Sequence, residues 1–110
     1  MAIPQNFACV EQQVLSVTST SASVTFANVK NAAFNAKDLL ISNGGTKACQ
    51  VLIGTGTLTA VQDASAGGTA QLKILSGEVR ACPKGNNLTI AAITEGSDTT
   101  TLYLEAGQGG

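Results

Sequence analysis

Along Ala22-Ser23-Val24-Thr25-Phe26 the even positions are apolar and the odd ones hydroxylic. A period of two puts successive side chains on opposite faces, so this stretch reads as a half-buried β-strand. Leu88, Ile90 and Ala92 mark one face of a second strand. Leu102 and Leu104 alternate with Thr101, Tyr103 and Glu105 in a third. Less regular runs at 13–18, 38–42, 48–53, 70–75 and 78–82 bring the expectation to about eight strands. Threonine is frequent in these runs, and β-branched side chains suit a pleated surface.

Turn-forming clusters separate the runs: Asn43-Gly44-Gly45, Gly54-Thr55-Gly56, Ser65-Ala66-Gly67-Gly68, Ser76-Gly77, Pro83-Lys84-Gly85-Asn86-Asn87 and Glu95-Gly96-Ser97-Asp98. Glycine supplies the positive φ of tight turns and Asn tolerates it. Strands punctuated this regularly predict an all-β fold, a small antiparallel β-sandwich of the jelly-roll kind with about eight strands. Residues 1–11 are expected to be an extended N-terminal arm or an edge strand, because Pro4 cannot donate to a ladder. Residues 12–110 then form a single sandwich domain. Residues 28–36 resist the alternation and read as a long loop or one helical turn. The end of the chain, from Glu105 to Gly110, has no apolar payload and is expected to be mobile unless held.

Composition changes what such a sandwich is for. Only 12% of the chain is charged, against about a quarter in an ordinary soluble domain. So little polar cover predicts that part of the outer surface is buried against other proteins. Net charge is −1, and the six Lys and Arg residues stand singly. The basic stripe that marks nucleic-acid binding is not visible. The first residues, Met1 to Asn6, lack the basic and long apolar segments of a secretory signal. No run reaches the ~18 apolar residues of a membrane span. Synthesis in the cytoplasm is the expectation.

Candidate chemistry is sparse. There is no histidine, so a serine nucleophile has no ordinary proton acceptor. Asp38, Asp63, Glu78, Glu95, Asp98 and Glu105 lie mostly beside turns and form no readable carboxylate pair. Gly44-Gly45-Thr46-Lys47 lacks the spacing and the following helix of a phosphate loop, and reads as a hairpin turn. Gly54-Thr55-Gly56 likewise fails as a dinucleotide fingerprint. Cys9, Cys49 and Cys82 are too far apart for a zinc motif and read as small apolar residues, or alternatively as a disulfide between two of them if the protein ends up outside a cell. Lys47 near Cys49 and Lys84 near Cys82 give only weak support for a reactive thiol. No enzyme activity, metal or cofactor is expected.

What remains is a surface for other proteins. Ile3, Pro4, Phe7 and Val10 make the first segment apolar, with no charge before Glu11. An apolar extended segment can add a strand to a partner or fill its groove. Tyr103 stands on an outward strand face. These five residues are the candidate contacts, for a partner or for a second copy.

The C-terminal part adds a resemblance. Val79-Arg80-Ala81-Cys82-Pro83-Lys84-Gly85, then Leu88-Thr89-Ile90-Ala91-Ala92-Ile93-Thr94, then Thr101-Leu102-Tyr103-Leu104 and Gly107-Gln108-Gly109 follow one another. This cadence resembles the end of small virion proteins of tailed double-stranded-DNA phages. In length and strand number the chain looks like the jelly-roll cement, or staple, decoration proteins of short-tailed phages. The resemblance covers roughly residues 37–110. It implies a virion protein on the outer capsid surface that clamps adjacent major capsid subunits against internal DNA pressure, without a cofactor. Its partners would be the major capsid protein and itself, as a homodimer or alternatively a trimer, with no nucleic acid and no membrane. The arm of residues 1–10 would reach the shell. The rival readings are another virion part, such as a head-fibre base or tail component, and a sugar-binding module using Tyr103.

Overall fold

The computed structural model describes residues 8–26, 38–62, 71–83 and 89–108. Each of the eight expected runs holds a strand: β1 (Ala8–Val17), β2 (Ala22–Thr25), β3 (Asp38–Asn43), β4 (Cys49–Gly54), β5 (Leu72–Ile74), β6 (Val79–Pro83), β7 (Thr89–Thr94) and β8 (Thr100–Gln108). They form two antiparallel four-stranded sheets, ordered β1-β8-β3-β6 and β2-β7-β4-β5. Consecutive strands alternate between the sheets except at β4 and β5, which pair. That order is the double-sheet jelly roll built from two Greek keys.

The topology corrects one expectation and meets the condition attached to another. The Asn43–Lys47 link is not a hairpin, because β3 and β4 lie in opposite sheets. Its glycines have no positive φ; they are required by close approach. A Cβ on Gly45 would fall 2.0 Å from Thr100 Oγ1, and one on Gly44 would fall 2.6 Å from Tyr103 Cε2. The condition concerns the C-terminal segment, expected to be mobile unless held. Glu105, Ala106, Gly107 and Gln108 are not a loose tail but continue β8, held between β1 and β3 as far as Gly107.

β1 begins earlier than its alternation suggested. Residues 8–11 belong to a strand at the edge of the first sheet, and the register with β8 shifts between Cys9 and Glu11. Residues 1–7, 28–36, Lys84 and Leu88, each part of a sequence expectation, lie outside the described residues.

Side chains that alternate inward close the core. Leu15, Val17, Leu39, Ile41, Leu102, Leu104 and Ala106 from the first sheet meet Cys49, Val51, Ile74, Ile90 and Ala92 from the second, with Phe26 beside them. Full burial of a Leu, Ile or Phe contributes about 1.5–3 kcal/mol each. With few aromatics, many medium side chains share the work, and no buried side-chain N or O among the described residues lacks a partner.

The two outer faces are treated differently. β7 is buried along its whole length. Its outward residues Ala91 and Ile93 pack with Leu52 of β4 and are covered by Leu58 and Ala60, because the chain leaving β4 folds back over the second sheet. Side-chain hydrogen bonds fix this cover. Ser21 Oγ accepts from the Ala60 N–H (2.9 Å). Gln71 accepts from the Val61 N–H (2.8 Å) and donates to its carbonyl (2.9 Å). Gln62 donates to the Thr94 carbonyl (3.0 Å).

Candidate protein-docking face

The first sheet's outer face is buried at Leu40 (6%) but not along its whole breadth. Direct antiparallel partners face the same way, so register defines its rows. Val14 lies opposite Tyr103, Tyr103 opposite Ser42, and Ser42 opposite Val79. The next row runs Gln12, Glu105, Leu40, Ala81. Among the described residues the exposed large hydrophobics are Val14 (54%), Tyr103 (41%) and Leu75 (55%). Two of these three sit side by side in one row. Glu105 and Asp38 are the charged residues whose register places them on this face.

The Tyr103 ring is held in position. It lies over Gly44, whose missing side chain leaves the space it fills. The adjoining link is pinned by Asn43, only 3% exposed. Its amide donates to the Lys47 carbonyl at 2.9 Å and the Ile74 carbonyl at 3.4 Å. Its oxygen accepts from the Gly45 N–H at 3.1 Å and the Thr100 hydroxyl at 2.6 Å. This buried asparagine joins β3, β5 and β8 beneath the exposed row. At the same end, Ser16, Thr18, Thr46, Thr99, Thr100 and Thr101 help line an open cleft of about 480 Å³.

Of the five residues singled out from sequence, Tyr103 stands on this face and is exposed. Val10 lies in β1 at the register shift. Ile3, Pro4 and Phe7 lie outside the described residues. Sequence reasoning missed Val14, Tyr103's direct partner. The signal was present: if Leu15 and Val17 point inward, Val14 must point outward.

The thiols are free and not activated. Burial pushes Cys49 up to about 11. Cys82 is also raised, by burial first and by Asp38, against an opposing effect of Arg80. Partial burial and the Glu105 and Glu11 carboxylates raise the exposed Cys9, against an opposing backbone hydrogen bond at Glu11. Lys47 therefore does not make Cys49 reactive. Glu78 is held below the usual carboxylate range by the Leu75 N–H (2.8 Å) and by Arg80 (2.7 Å). No group of three or more His, Cys, Asp or Glu among the described residues is placed to hold a metal. No helix among them is long and apolar enough to cross a membrane.

No protein-family model matches the chain, and no curated protein matches its sequence. Two solved structures of Tobacco streak virus coat protein, one of the coat protein dimer, are similar to it. Each has a TM-score of 0.44, with 11% and 12% identity, covering 99% and 98% of this chain and 91% and 90% of theirs. A structure of Bacillus endospore appendages, a family of disulfide-linked pili, is similar with a TM-score of 0.43 and 13% identity, covering 97% of this chain and 95% of that one. The described residues of this chain form an all-β jelly-roll sandwich of eight strands in two antiparallel sheets.

Proposed function

We propose that this chain is a non-catalytic virion structural protein. It decorates the outer surface of a phage capsid, staples adjacent major capsid subunits and associates with itself. The observation that carries the reading is the unequal treatment of the two sheets. The chain covers the second sheet with its own residues, while the outer face of the first sheet buries Leu40 yet leaves Val14 and Tyr103 exposed, with little charge. Large exposed apolar side chains grouped on one face mark an interaction surface. Tyrosine suits such a surface because it contributes wide contact area with few rotatable bonds. The virion assignment comes from the cadence of residues 79–109.

The test is co-sedimentation of the purified chain with undecorated capsids. The intact chain binds, and Tyr103→Ala weakens binding at least ten-fold, the loss of a central aromatic anchor being about 2 kcal/mol or more. Removing residues 2–8 abolishes binding while the β circular-dichroism signal persists. Unchanged binding by Tyr103→Ala contradicts the docking face, and full binding by the truncated chain contradicts the arm. Failure of the intact chain to bind any capsid contradicts the decoration role. Retention on a glycan array, lost in Tyr103→Ala, would favour a sugar-binding module instead.

A further inference from the structure

The four sheet edges are unequal. β5 spans three residues and contains Lys73; β2 spans four residues; β6 contains Arg80 and ends at Pro83. Short length, charge and proline are the usual devices that keep a strand edge from pairing with another chain. β1 has ten residues with neither lysine nor proline. Its register shift lies near one end, between Cys9 and Glu11, leaving Glu11–Val17 in unbroken register with β8. Among the described residues, no strand pairs with the other side of β1.

The midpoint of that regular stretch is Val14. We infer that the free edge of β1 pairs antiparallel with β1 of a second copy about a two-fold axis at Val14, joining the two first sheets into one eight-stranded sheet. An isologous contact of this kind requires a self-complementary strand, and the stretch meets that requirement. Val14 meets Val14, Gln13 meets Leu15, Gln12 meets Ser16, and Glu11 meets Val17. No charge faces a like charge. The two Glu11 carboxylates lie six residues apart along the strands, about 20 Å, which is beyond the screening length of roughly 8–10 Å. Within each copy, Gln13 donates a hydrogen bond to Glu11. The pairing also places the exposed Val14 and Tyr103 rows end to end across the axis, doubling the docking face. This inference rests on the self-association included in the proposed function and names its surface.

The test uses the full chain with Cys9→Ser and Cys82→Ser, to which Val14→Cys or Ser16→Cys is added. Across the axis, Val14 Cα atoms would lie about 4.5–5.5 Å apart, as in any directly opposed antiparallel pair, within disulfide range. Ser16 lies opposite Gln12, so the two Ser16 Cα atoms would be about 14 Å apart. Under mild oxidation Val14→Cys is expected to form a covalent dimer at least ten-fold faster than Ser16→Cys. Val14→Lys in the natural chain is expected to convert the sedimenting dimer to a monomer with its circular dichroism unchanged. Equal cross-linking rates, a monomeric natural chain at its highest soluble concentration, or a dimer that survives Val14→Lys each overturn the inference. The capsid assay separates the two ideas. A chain that binds capsids while failing these tests loses only the β1 pairing. A chain that passes them without binding capsids loses only the decoration role.

Discussion

Thr100 and Asn43, 57 positions apart in sequence, are joined by a buried 2.6 Å hydrogen bond from the Thr100 hydroxyl to the Asn43 side-chain oxygen. Asn43 is the polar pin of the jelly roll, and Gly45 leaves the room that this bond occupies. Asn43→Ala strands the Gly45 N–H and the Lys47 and Ile74 carbonyls. We expect it to lower stability by about 2–3 kcal/mol in urea unfolding. Gly45→Ala also destabilises, since its Cβ would overlap Thr100. Combined with Thr100→Ala, Gly45→Ala should cost less than the sum of the singles, because Thr100→Ala removes the hydroxyl that the new Cβ would overlap. Strict additivity would contradict this geometry.

The fold-back cover over the second sheet depends on Gln71, which brackets both backbone groups of Val61. Gln71→Ala is expected to raise amide hydrogen exchange at Ala60 and Val61 while leaving β3 and β8 protected, since local opening need not involve the core. Uniformly faster exchange would mean that the cover is part of the core's cooperative unit.

Cys49 and Glu78 act on opposite ends of the stability profile with pH. Burial raises Cys49 to about 11 in the folded state, above the ordinary thiol value of about 8.5. Its contribution is therefore complete below pH ~8.5 and lost as pH rises toward the folded value. Glu78 is lowered by the Leu75 N–H and by Arg80. Its contribution is present above the ordinary carboxylate value of about 4.3 and is lost as pH falls through the lowered one. Chemical denaturation across pH should show both losses. Cys49→Ala should flatten the alkaline fall, and Glu78→Gln the acid one.

Thiol labelling should follow exposure. At neutral pH a maleimide is expected to modify Cys9 first and Cys82 more slowly. Cys49 should react only on unfolding, because the thiolate is the reactive form and burial opposes it. Early modification of Cys49 in the folded chain would contradict the packing around it.

Most of the fold was legible because alternation survives at every strand. Ser23 and Thr25 point outward, and Phe26 is buried where the period places it. Which strands pair was not legible, since period two says nothing about partners, and Asn43-Gly44-Gly45 looked like a hairpin while serving as a link between sheets. The back cover had a signal that went unused. Ile90-Ala91-Ala92-Ile93 is apolar without alternation, the mark of a strand buried on both faces. Of the docking face, Tyr103 could be found from sequence. Val79 and Ala81 join its rows through β3, a long-range pairing that local pattern does not encode.

The most direct measurement is a cryo-microscopy map of capsids saturated with this protein. The account predicts the outer face of the β1-β8-β3-β6 sheet against the shell, with Tyr103 and Val14 buried between chain and capsid. A bound molecule whose first sheet faces solvent would contradict it.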